Sequence, residues 1–160
     1  MVNINVIREL FEGVVNAYKE DLTWYSRWSP VLDDDTSKAM PAVSWVEPRV
    51  ELVQADHTIV QQFTVNILFE DSAASDRAPL VRDHTYERMQ IVAAHIWARF
   101  RELYFLEESV YQGVNVSLSQ RSAAVFTAVW DTAGQHTTGC ALTVTIESPY
   151  QFCASDYFNV

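Results

Sequence analysis

The chain has 160 residues, 49% of them hydrophobic and 20% charged, and its 21 acidic against 11 basic side chains give a formal net charge of -10. That apolar content excludes a disordered chain, and the acidic balance, with no Lys/Arg cluster to offset it, excludes a protein that grips a DNA backbone or an anionic membrane surface. With only 4 Gly and 5 Pro there is little material for a linker, so residues 1–160 are expected to form one domain.

The first expected element is an amphipathic helix. Ile4, Ile7, Phe11, Val14 and Tyr18 recur at spacings of three and four, with Leu10 and Val15 widening the stripe and Asn3 or Asn5 available as the cap. An aromatic connector follows, from Asp21 to Pro30, and Asp33-Asp34-Asp35 then opens an exposed acidic loop. Pro41 and Pro48 bracket a short extended piece, Val43 to Val46. The clearest strand comes next. Ile59, Phe63, Val65, Ile67 and Phe69 alternate with polar residues, and Gln61 is the only polar side chain on their apolar face.

Residues 71–82, polar and small, predict a loop or arm leading into a second helix from about Asp83 to Tyr104, capped by Asp83 or Thr85. Its stripe is Tyr86, Met89, Ala93, Ile96, Trp97, Phe100 and Leu103. Beyond Gly113 the period returns to two, through Val114, Val116 and Leu118, then Ala124, Phe126, Ala128 and Trp130. After a turn at Asp131-Thr132-Ala133-Gly134, Cys140, Leu142, Val144 and Ile146 complete a final strand. Helix, strands, helix, strands predicts an α+β domain: a single mainly antiparallel sheet with two principal helices packed on it. Residues 149–160 are expected to form an aromatic arm at its end. No apolar run reaches the roughly 18 residues of a membrane span, and no basic-then-apolar leader stands at Met1-Val2-Asn3, so no signal peptide is expected. Cys140 and Cys153 match no CxxC spacing and are expected to be free thiols.

A search for chemistry returns little. His57, His84, His95 and His136 include no i, i+4 pair, and no HExxH is present; His95 beside the buried stripe is expected to be a satisfied helix histidine. Counted as the start of an EF-hand loop, Asp33 puts Lys38 and Ser44 where Gly and Glu are needed, so a solvated acidic loop is the expectation. GxSxG, GxGxxG and P-loop patterns are missing as well. No catalytic, cofactor-binding or metal-binding residue is therefore assigned, and the chain is not expected to be an enzyme. What stands out is surplus aromatic material. Trp24, Tyr25 and Trp28 in the connector and Phe152, Tyr157 and Phe158 in the arm either fold back over their own core or meet a neighbouring subunit, and they are the candidate interface residues.

The order of these elements, with the stretches from Met40 to Val46 and from Val60 to Phe69, resembles the tail terminator, or neck, proteins of tailed bacteriophages. That resemblance implies a virion structural protein, assembled in the host cytoplasm into a ring, commonly a hexamer. The ring joins the tail tube to the head connector, DNA passes through its lumen, and no cofactor is involved. About six copies, each at -10, would make a ring of about -60 whose field acts over about 8 Å at physiological salt. On that footing Asp33, Asp34, Asp35, Asp71 and Asp76 are candidate lumen or ring-face residues. Two other readings fit the same residues. One is a small ligand-binding or enzymatic domain whose aromatic connector lines a pocket; the other is an adaptor of a phage-like contractile or secretion system.

Overall fold

The first helix, α1 (Ile4–Asn16), starts at Asn3, whose extended backbone lets its side-chain oxygen accept from the backbone N–H groups of Asn5 and Val6, both at 3.0 Å. Asn3, not Asn5, is the cap. One face of α1 buries Ile7, Leu10, Phe11, Val14 and Val15, as the spacing predicts. The computed structural model describes residues 2–26, 39–72, 79–105, 109–130 and 137–150. The predicted acidic loop, the turn at residues 131–134 and residues 151–160 lie outside them.

Among the described residues the fold is α+β, two helices with a mostly antiparallel mixed sheet. β1 (Thr23–Tyr25) pairs in parallel with β2 (Ala42–Ala55), which pairs antiparallel with β3 (Thr58–Ser72), and β3 with β8 (Thr137–Pro149). Two strands share the outer side of β8: β6 (Ser119–Gln120) and β7 (Val125–Trp130). A separate ribbon joins β4 (Ser109–Tyr111) to β5 (Val114–Val116). Its two turn residues, Gln112 and Gly113, both have positive φ, the backbone that a tight right-twisted hairpin needs.

Several expectations are corrected here. The extended piece after Pro41 does not stop at Val46. β2 continues through Pro48 to Ala55, because the register slips between Val46 and Arg49, and a proline with no N–H to give is tolerated at such a bulge. The connector contains a strand, β1, tied to β2 by Thr23 N–H donating to the Pro41 carbonyl. The second helix, α2 (Pro79–Tyr104), begins four residues before Asp83, so Asp83 and Thr85 are interior rather than caps. Pro79 signals this start, since a first-turn residue needs no intrahelical donor. Leu103, expected in the buried stripe, is exposed, and Val92 takes its place inside.

The core lies between the helices and one side of the sheet. Phe11 of α1 stacks on Phe100 of α2 with ring centres 3.8 Å apart, flanked by Trp97 and by Trp45 of β2. Against them sit Phe63, Val65, Ile67 and Phe69 of β3 and, directly opposite in register, Ile146, Val144, Leu142 and Cys140 of β8. Each such side chain, fully buried, contributes about 1.5–3 kcal/mol. Gly139, next in β8, is required by close approach: a Cβ there would run into the Phe69 carbonyl.

Candidate functional site

The sheet carries a second, open apolar surface. In β2 and β3 the core-facing side continues as Val50 and Leu52 on one strand and Ile59 on the other. Leu52 is opposite Gln61, and Gln54 is opposite Ile59, so Leu52 and Ile59 are diagonal neighbours on one face. Their exposures are 44%, 57% and 46% for Val50, Leu52 and Ile59. Ile59 was expected on the buried face. It is open although Phe63, Val65, Ile67 and Phe69, on the same face of β3, are buried.

Gln61 sits in the middle of this surface, between Leu52 and Ser148 in register. It is 9% exposed, and its Oε1 finds no donor among the described residues. A buried acceptor without a donor is costly. Ser148, itself buried, also lines a cleft of 310 Å³ together with Val2, Gly113, Val114, Asn115, Ser117 and Pro149. Beyond the bulge β2 is also an edge: β1 pairs with it only from Ala42 to Ser44, leaving residues 49–55 with no strand on that side among those described. Unpaired edges are templates for another chain.

The candidate interface residues divide. Trp24 and Tyr25 are half-buried in β1; Trp24 packs on Trp45 with ring centres 6.3 Å apart, and the Tyr25 hydroxyl accepts from Ala39 N–H at 2.8 Å. Both therefore lean on their own domain. Trp28, Phe152, Tyr157 and Phe158 lie outside the described residues, as do Asp33, Asp34, Asp35 and Asp76. Asp71 is the last residue but one of β3, where its carboxylate takes Arg88 of α2 and accepts from Ser72 N–H at 2.8 Å. The charge it offers is thus partly cancelled.

Elsewhere, His95 is exposed and meets the Tyr18 hydroxyl at 3.1 Å from Nδ1. The Tyr18 phenol is pushed above its ordinary range by burial and then by Glu20. Tyr111 is raised by burial and by Glu9, to which its hydroxyl donates at 3.3 Å. Cys140 is a buried free thiol, pushed up to about 11 by desolvation. Glu70 is fully buried and accepts from Thr137 Oγ1 at 3.1 Å. No group of three or more His, Cys, Asp or Glu among the described residues could hold a metal ion, and no described helix is long and apolar enough to cross a membrane. Compared with known proteins, the sequence matches no family model and no curated protein.

Sequence reasoning missed the Val50, Leu52 and Ile59 surface, although signals were present. The alternation Arg49-Val50-Glu51-Leu52 after Pro48 mirrors the one in β3, and Gln61 breaks the apolar face where the core ends.

Proposed function

We propose that the chain is a virion structural subunit that forms a ring at the head-proximal end of a phage tail, a tail terminator or neck protein whose work is packing rather than catalysis. Its partners are further copies of itself, the tail tube and the head connector, with DNA passing through the lumen. The observation that carries this reading is the open apolar surface of Val50, Leu52 and Ile59 beside a strand edge that no described strand pairs. A face that one copy leaves uncovered is the kind that sister subunits cover. The sequence resemblance supplies the type of assembly, and the net charge of -10 suits a wall that DNA must slide past without sticking.

Electron micrographs of the purified chain, alone and mixed with purified tails, test the proposal. Closed rings with a central opening, or caps added at one end of each tail, are the expected result. Separate single particles that never join tails would overturn it.

A further inference from the structure

We draw no further inference here: the strongest candidate, the open apolar row of Val50, Leu52 and Ile59 at the far end of the β2–β3 ribbon, belongs to the site already described, and nothing in the structure shows what covers it.

Discussion

The β2–β3 pair is one continuous ribbon with two unlike halves. Near its Ala42–Glu70 end, Val43, Trp45, Ile67 and Phe69 are buried beneath α1 and α2. Near its Asp56–His57 end, Val50, Leu52 and Ile59 have the same alternation and the same facing, yet stand open. The difference lies in what is overhead, not in the strands. A period of two fixes which residues share a face, whereas burial depends on what packs over them. The near half is therefore a folding surface, and the far half is the part we propose for docking.

If that division holds, the largest stability effects come from the near half. Phe100→Ala removes the ring stacked on Phe11 and should cost about 3–5 kcal/mol in urea unfolding, because the surrounding core cannot fully collapse. Gly139→Ala pushes a Cβ into the Phe69 carbonyl and should cost about 1–3 kcal/mol by the same measurement. A value near zero at either position would mean that the near half is not the core.

Cys140 sharpens the same contrast through pH. Burial holds its thiol at about 11, above the ordinary 9.0, so the folded state keeps the proton that the unfolded chain gives up. The resulting stabilisation is fully present below about pH 9 and lost as pH rises through about 11. Thiol reagent at pH 8 should leave Cys140 unmodified until denaturant is added. Prompt labelling of this residue in the native protein would contradict its place in the core.

Smaller effects belong to the rim. Arg88→Ala breaks the pair with Asp71, and since both side chains are partly exposed the expected loss is under about 1 kcal/mol. Leu52→Glu should change monomer stability by no more than about 0.5 kcal/mol, because the side chain is already mostly in water. Its effect should appear in association instead.

The two helices and the long β3 and β8 strands were legible because their apolar residues recur at periods that only one secondary structure satisfies. The residues stacked at the centre, Phe11 and Phe100, follow from those stripes. Other features were hidden for physical reasons. β1 is three residues long and gains its place from pairing with β2, a partner the local sequence does not announce. Continuity of β2 through Pro48 depends on a bulge, and a proline read locally argues for a break. The open surface was the hardest to foresee, since Ile59 carries the same pattern as Phe63 and differs in what packs over it. Trp24 and Tyr25 show the converse: aromatic residues in a connector that largely pack at home.

Hydrogen exchange measured at low and high protein concentration is the most direct test that the far half of the ribbon is where another subunit sits. Amides of residues 49–61 should gain protection as concentration rises, while those of residues 63–69 stay equally slow at both. Exchange in 49–61 that is indifferent to concentration, in a chain shown to associate over that range, would contradict the account.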